Sequence, residues 1–456
     1  MGINFDFARK FAADQLLKQG LEYLEKDPAE NFLKILDIGE KLVRRDNHKR
    51  GIQIVRENYN KLPVIKEYVK KLNEIAPSYK NGLLLNLFIN GGLFGIPYQY
   101  ELSEKFGVSV PWTILIDPTS ACNLRCDGCW AGRYNKSDSL DFETFDRIIT
   151  EAKKMGIYFI VLSGGEPTIY PYLFDIFEKH NDAAFMMYTN GTLIDDEFAD
   201  KMLEVGNISP AISLEGFKDD TEKRRGEGVY DKITAAMDRL KERGIVFGVS
   251  VTTCRYNVDR LFSDEFIDLM IEKGAVYMWS FHYIPIGRNP NLDLMLTPEQ
   301  RAKLARRVDE LRKTKPLFVM DFWNDGTYSQ GCIAGGRRYF HINARGDVEP
   351  CAFVHFAVDN IKDKSLEEVI KNPLFRSYQK RMPFSDNLMC PCPIIDNPQM
   401  LRDIVEESSA RPTCEGAADI LKGEIAEELD KISKTWHEIS REINDERMRS
   451  KGESSN

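Results

Sequence analysis

Between Trp112 and Pro285, short apolar runs alternate six times with amphipathic helical stretches. The runs are "TILIDP", "YFIVLSGGEP", "FMMYTNG", "PAISLEG", "IVFGVSVTT" and "AVYMWSFHYIP". Stretches such as "DFETFDRIITEAKKMG" and "YDKITAAMDRLKERG" separate them, with apolar residues at helical spacing. Parallel strands need a long crossover and antiparallel strands do not, so this rhythm predicts a parallel sheet with helices outside it. Six units in about 175 residues fall short of the eight units of a closed barrel. The expected class is therefore α/β, a partial (β/α)6 barrel.

The flanks read differently. Residues 1–107 are helical by periodicity, as in "FARKFAADQLLKQGLEYL", with breaks at Pro28, Pro63 and Pro77. The barrel occupies 108–315, ending in a helix whose N-cap is Thr297, with Gln300 completing a capping box. Residues 316–415 have shorter elements, Gly-rich turns and five of the nine Cys. Residues 416–446 form an amphipathic helix, expected to pack on its own domain or on a partner, and "RSKGESSN" reads as a disordered tail within 416–456.

The net charge of -9 excludes the basic footprint of a nucleic-acid binder. "MGINFDFARKFAADQ" is charged early and is no secretory signal, and Asp6 argues against myristoylation. "GLLLNLFINGGLFGI", 82–96, is shorter than the roughly 20 apolar residues of a spanning helix. The expected compartment is the cytoplasm, where clustered Cys serve metals or catalysis more often than disulfides. Residues 82–100 have two readings. They line a channel for an acyl or prenyl chain or rest on a membrane surface, or they pack as a buried helix on the barrel.

"SACNLRCDGCWAG" places Cys122, Cys126 and Cys129 on a loop just past the first strand, the end where parallel barrels build active sites. A structural zinc wants four ligands, usually as two separated pairs. A four-iron cube takes one thiolate per iron, so three leave one iron open. Three buried free thiols, or a zinc knuckle, are the plainer alternatives.

This spacing, C-x3-C-x2-C, resembles the radical S-adenosylmethionine superfamily over about 112–290, and to about 395 with the C-terminal part. The resemblance implies a [4Fe–4S] cluster whose open iron chelates S-adenosylmethionine, and reductive cleavage of that sulfonium to a 5'-deoxyadenosyl radical that abstracts hydrogen. A reductant such as flavodoxin or ferredoxin is implied as partner. One departure is visible: the family usually has an aromatic residue before the third Cys, whereas here Gly128 stands there and Trp130 follows. "SGGEP" after the second strand matches the motif that holds the methionine amine, which assigns Gly164, Gly165 and Glu166. Thr189 and Asn190 in "YTNG" face the cofactor side or form a turn. Ser213 and Glu215 in "AISLEG" take the ribose position, with Ser250 a weaker candidate. Arg225 is preferred over Arg224 for the methionine carboxylate, and "YIPIGRN" resembles a turn near the adenine. Cys254 reads as a buried strand residue rather than a redox partner.

A second cysteine set begins at Cys332, with Gly346 and Cys351 following in "GCIAGGRRYFHINARGDVEPCAF". It resembles the opening of SPASM and twitch extensions, which hold auxiliary [4Fe–4S] clusters, and "YFHINARGDVEPC" reads as a hairpin. Only Cys390, Cys392 and Cys414 remain, too few for two fully ligated clusters. The expectation is one auxiliary cluster on Cys332, Cys351 and Cys392, with Cys390 or Cys414 as fourth ligand, or with three protein ligands; a structural zinc is the alternative. The expected function is a radical enzyme acting on a lipid-like chain or on a peptide or protein. A non-catalytic iron–sulfur sensor is the competing class, and the Gly-Gly-Glu motif argues against it.

Overall fold

The computed structural model describes residues 28–43 and 46–453, with Gln15, Gly20 and Tyr23 before them. The helix read in 7–24 lies outside the described residues. Strands β1 (Thr113–Ile116), β2 (Phe159–Leu162), β3 (Ala184–Thr189), β4 (Ile208–Leu214), β5 (Gly248–Thr253) and β6 (Tyr277–His282) fall in the six apolar runs. They pair in sequence order, all parallel. Their crossover helices start on side-chain caps that the sequence supplies: Asp141, Asp195, Ser263 and the Thr297–Gln300 capping box each satisfy a free backbone N–H.

The sheet extends further than the alternation suggests. β7 (Phe318–Asp321) adds a seventh parallel strand beside β6, so the barrel sheet continues past residue 315. On the other edge β8 (His341–Ile342) joins β1, and β9 (Val348–Glu349) folds back on it as the expected hairpin, turning at Asn343–Gly346. The edge of the barrel is thus completed by the segment that carries the second cysteine set. A short pair, β10 (Phe356–Ala357) with β11 (Arg411–Pro412), closes the C-terminal region.

The C-terminal helix Glu424–Glu453 packs on the helix Pro298–Thr314 of its own chain. Trp436 is fully buried, donates to the Met389 carbonyl at 2.9 Å, and lies under the Arg301 guanidinium at 4.1 Å. The helix runs on through residues 449–453, where the sequence reads as disordered tail; the i,i+4 ladder simply continues past the last buried residue.

The apolar stretch 82–96 caps the floor of the barrel as π-helical turns, Lys80–Leu84 and Asn86–Gly95, leading into the helix Ile96–Phe106. Its contacts explain its odd composition. A Cβ on Gly82 would meet the Gly206 carbonyl at 2.4 Å, and one on Gly95 would meet the Gly156 carbonyl at 2.3 Å. Asn86 and Asn90 donate to carbonyls of Asn181, Asp182 and Ala183. Glycine permits this backbone approach and the amides cap strand-entry turns that would otherwise lose water. Among the described residues no helix is long and apolar enough to cross a membrane.

Candidate active site

The cysteine loop leaves β1 and is clamped from three sides. The Gly164–Gly165 turn after β2 lies directly on it: Gly165 N–H donates to Thr119 O (2.9 Å) and Glu166 N–H to Ala121 O (2.8 Å). A Cβ on Gly165 would stand 2.0 Å from Ala121 O, so only glycine fits. Arg288, past β6, donates from its backbone to Cys129 O (3.0 Å) and from Nη1 to Cys126 O (3.1 Å). Arg224 donates from Nε to Asp127 O (2.9 Å) and from Nη2 to Gly128 O (3.3 Å).

The departure at Gly128 has a structural answer. Gly128 has φ +63°, and a Cβ there would meet the Tyr283 ring at 2.7 Å. The aromatic beside the third cysteine is supplied from the end of β6. Trp130 borders the same chamber and packs edge-on to Tyr134 and His341.

Glu166 is buried and heavily used. Its Oε1 accepts from Thr168 N–H, Thr168 Oγ1 and Thr189 Oγ1, and its Oε2 accepts Asn190 N–H at 2.7 Å. Burial pushes its carboxyl up, and these donors hold it down. One lone pair of Oε2 is left for an ammonium. Thr189 and Asn190 both line the chamber described below, but their polar atoms serve Glu166, Asn123 and Thr192, so they act by orienting the glutamate and the cysteine loop.

The structure places Glu215 behind the chamber wall rather than on it, fully buried. Its carboxylate accepts Arg224 Nη1 (2.5 Å) and Arg225 Nη2 (2.6 Å), fixing both cations. Arg224 is consumed by the cysteine loop, Glu215 and Thr252. Arg225 spends only Nε and Nη2, on Glu215, so Nη1 is left. Ser213 and Ser250 stand side by side on β4 and β5, on the chamber wall. Burial raises the Cys122 and Cys126 thiols; Arg225 and Arg224 oppose this at Cys126 and favour its thiolate. Cys254 is 1% exposed beside β5, its thiol pushed up to about 12 by burial, as fits a packing residue.

Sequence reasoning missed a buried ion cluster under this loop. His341 of β8 lies 3.0 Å from Asp117 at the end of β1 and 2.7 Å from Glu349 of β9. Burial disfavours its charge, but the two carboxylates win and hold the imidazolium up to about 10. Glu349 also accepts from the Tyr134 hydroxyl, five residues past Cys129.

Below the loop a cavity of about 540 Å³ runs down the barrel lumen. Its upper end meets Cys122, Cys126, Cys129 and Arg225, and its floor meets Leu83, Leu84 and Leu87. Between them the wall is Phe159, Met186, Tyr188, Trp279, Phe281 and Phe322, among others. A second cavity of about 340 Å³ shares Trp279, Phe322 and Phe353 with the first and is lined by Cys332, Cys351 and Cys392.

Cys390 and Cys414 do not join those three. The turn held by the buried Arg301–Asp396 pair points Cys390 at Ser440 of the C-terminal helix (3.4 Å). Cys414 Sγ lies 3.1 Å from His355 Nδ1, beside Tyr134. Neither borders the second cavity. Burial pushes the Cys332 thiol up to about 12 and Cys351 to about 11; such groups ionise only against strong positive charge. Among the described residues no three His, Cys, Asp or Glu close on a single ion.

A parallel partial barrel with three thiols, a Gly-Gly-Glu cradle and a deep lumen at its C-terminal end defines the radical S-adenosylmethionine class. Residues 116–270 match the radical SAM superfamily and residues 332–393 an iron–sulfur cluster-binding domain. The chain is a radical S-adenosylmethionine enzyme with a C-terminal SPASM extension, using a [4Fe–4S] cluster, S-adenosylmethionine and auxiliary iron–sulfur. It is similar to the AdoMet-dependent heme synthase of Methanosarcina barkeri, 23% identical over 58% of this chain and 83% of that one. It is similar to the mycofactocin maturase MftC of Mycolicibacterium smegmatis, at 28% over 57% and 68%. It also resembles the PqqA peptide cyclase of Ruegeria pomeroyi, at 28% over 61% and 78%. In fold it resembles Streptococcus suis SuiB bound to S-adenosylmethionine, with a TM-score of 0.55 and 19% identity over 66% of this chain and 76% of that one.

Proposed function

We propose that the enzyme removes a hydrogen atom from an apolar, lipid-like chain lying in the barrel lumen. The observation that carries this is the lower part of the 540 Å³ lumen: below the polar end assigned to the cluster and S-adenosylmethionine, its wall is mainly aromatic and aliphatic side chains down to the floor helix. Cys122, Cys126 and Cys129 hold the cluster. Gly164, Gly165 and Glu166 meet the methionine amine, Arg225 Nη1 its carboxylate, and Ser213 with Ser250 the ribose. When bound, the cluster and S-adenosylmethionine supply the 5'-deoxyadenosyl radical. The chain's own residues place the substrate and keep water from a carbon radical; Tyr188, Trp279, Phe281 and Phe322 do both by packing around the lumen. Cys332, Cys351 and Cys392 hold one auxiliary cluster, and flavodoxin or ferredoxin delivers electrons. On this reading the functional units divide near residue 107, just past β7 at residue 321, and near residue 415. Only Phe88 and Tyr98 of the floor segment stay well exposed, and they are the groups available to a membrane surface.

The test is 5'-deoxyadenosine formed by the reconstituted, reduced full chain, with phospholipid vesicles of saturated acyl chains or with short peptides added. Acyl chains are expected to stimulate turnover. Leu87→Trp, which fills the floor of the lumen, is expected to cut the stimulated rate by on the order of 100-fold, the cost of a substrate displaced by about an ångström. Stimulation by peptides alone would instead favour a peptide substrate, the reading suggested by the similarity to the PqqA peptide cyclase.

Arg225→Lys keeps the charge and loses the planar fork. It is expected to weaken S-adenosylmethionine binding roughly ten- to hundredfold, the worth of one hydrogen bond to a charged group. Equilibrium dialysis on the reconstituted protein measures it.

A further inference from the structure

Three thiols around the second cavity leave one corner of a cube without a protein group, and the two remaining cysteines of this region point elsewhere. The wall of that cavity nevertheless contains an unused donor. Tyr378, on the helix Pro373–Lys380, is fully buried, borders the cavity with Cys332, Cys351 and Cys392, and its hydroxyl has no hydrogen-bond partner. A buried hydroxyl without a partner has lost its water and gained nothing in return, so it calls for an explanation.

Its surroundings are specific. Cys332, Cys351 and Cys392 all act electrostatically on this one oxygen. The ring is fixed: Phe384 meets it edge-on at 5.8 Å, and Gly335, at φ +60°, lays the loop after Cys332 flat on it, where a Cβ would be 2.6 Å from Tyr378 Cβ. The neighbouring phenol is already engaged, Tyr339 Oη lying 2.7 Å from Cys351 Sγ. Asp325 is the other unpartnered oxygen on the wall, but it is ion-paired to Arg312 through Oδ2, and its charged neighbours are Arg312, Asp321 and Arg447 rather than the thiols.

We propose that the Tyr378 oxygen is the fourth protein ligand of the auxiliary cluster, closing the corner that three thiolates leave open. The inference rests on the reading that Cys332, Cys351 and Cys392 hold that cluster. As the cluster assembles, the Fe–O bond forms and the phenol O–H bond breaks, its proton passing to solvent; the positive charge of ferric iron favours the phenolate as it favours the thiolates.

The test uses the full chain carrying Cys126→Ala, so that only the auxiliary cluster remains. Cys351→Ala added to it must lose about four irons per chain, the content of one cube; unchanged iron would remove the underlying reading. With that satisfied, resonance Raman spectra should show phenolate modes. The modes should vanish in Tyr378→Phe and persist in Tyr339→Phe and Asp325→Asn. Cyanide should shift the electron paramagnetic resonance signal of reduced Tyr378→Phe and leave that of the Tyr378 protein unchanged. Absence of phenolate modes in the Tyr378 protein, or their survival in Tyr378→Phe, overturns the proposal, as does a cyanide shift in the Tyr378 protein. If Tyr378→Phe fails to fold, the Raman spectrum of the Tyr328→Phe, Tyr339→Phe double variant decides alone, since among the described residues Tyr378 is then the one phenol left on the wall it shares with Cys332, Cys351 and Cys392.

Discussion

Gly165→Ala is expected to abolish radical initiation while leaving the fold and the auxiliary irons in place. The added carbon would stand 2.0 Å from Ala121 O and 2.5 Å from Ser120 O. Both are backbone atoms of the segment entering the cysteine loop, so no side chain can swing aside. Either the Gly-Gly-Glu turn or the loop must move by about an ångström, an overpacking cost of typically 1–3 kcal/mol. Such a loss is tolerable for a domain with the buried core seen here, but the geometry is not. The two N–H donations that join the turn to the loop would lengthen. Displacement on that scale costs on the order of 100-fold in rate even when all groups are present. The measurement is 5'-deoxyadenosine formation together with iron content and circular dichroism. A variant that folds, carries its irons and cleaves S-adenosylmethionine at the wild-type rate would show that the close approach is not what sets the site.

Some of this site was visible in the one-dimensional pattern and some was not, for reasons that lie in distance along the chain. The six strands are legible because a parallel strand buried on both faces is a continuous apolar run, and its crossover is a helix with its own period. The trio Cys122, Cys126 and Cys129 is legible because its members are local. β7 is not legible in the same way, since "PLFVMDF" follows a helix where composition also shifts, and a short apolar run there fits either neighbour. The partners of His341 are 224 residues away at Asp117 and eight away at Glu349; only β8 pairing with β1 brings the first of them in. Glu215 reads as a cofactor residue from its position after β4, but two adjacent arginines on the next helix claim it. The five later cysteines give a ligand count, not a ligand set. Which three converge depends on the Arg301–Asp396 pair turning Cys390 away from Cys392, two residues on.

Replacing His341 with Gln should destabilise the protein by about 3–5 kcal/mol near neutral pH, the cost of leaving buried charge without its partner. The imidazole is wholly buried between Asp117 and Glu349 and is the cation that faces both. Its position also ties three parts of the fold together: β1 where the cysteine loop begins, the β8–β9 hairpin that ends at Cys351, and Tyr134 through Glu349. The pH dependence identifies the charge as the cause. His341 is held up to about 10 in the fold, against about 6.5 for an unperturbed histidine. A group whose value is raised on folding stabilises fully below its unfolded value and loses that contribution as pH rises through the folded one. The stability gap between the protein and His341→Gln should therefore be widest below about pH 6.5 and should narrow as pH climbs through about 10. Urea unfolding of both proteins at pH 6, 8 and 10.5 measures the gap directly. Comparing differences cancels the thiols and phenols that also titrate in the alkaline range. A gap that stays constant across those three pH values would mean that His341 packs there as a neutral ring, and that Glu349 is held by its hydrogen bonds from Tyr134, Asn343 and Thr413 instead.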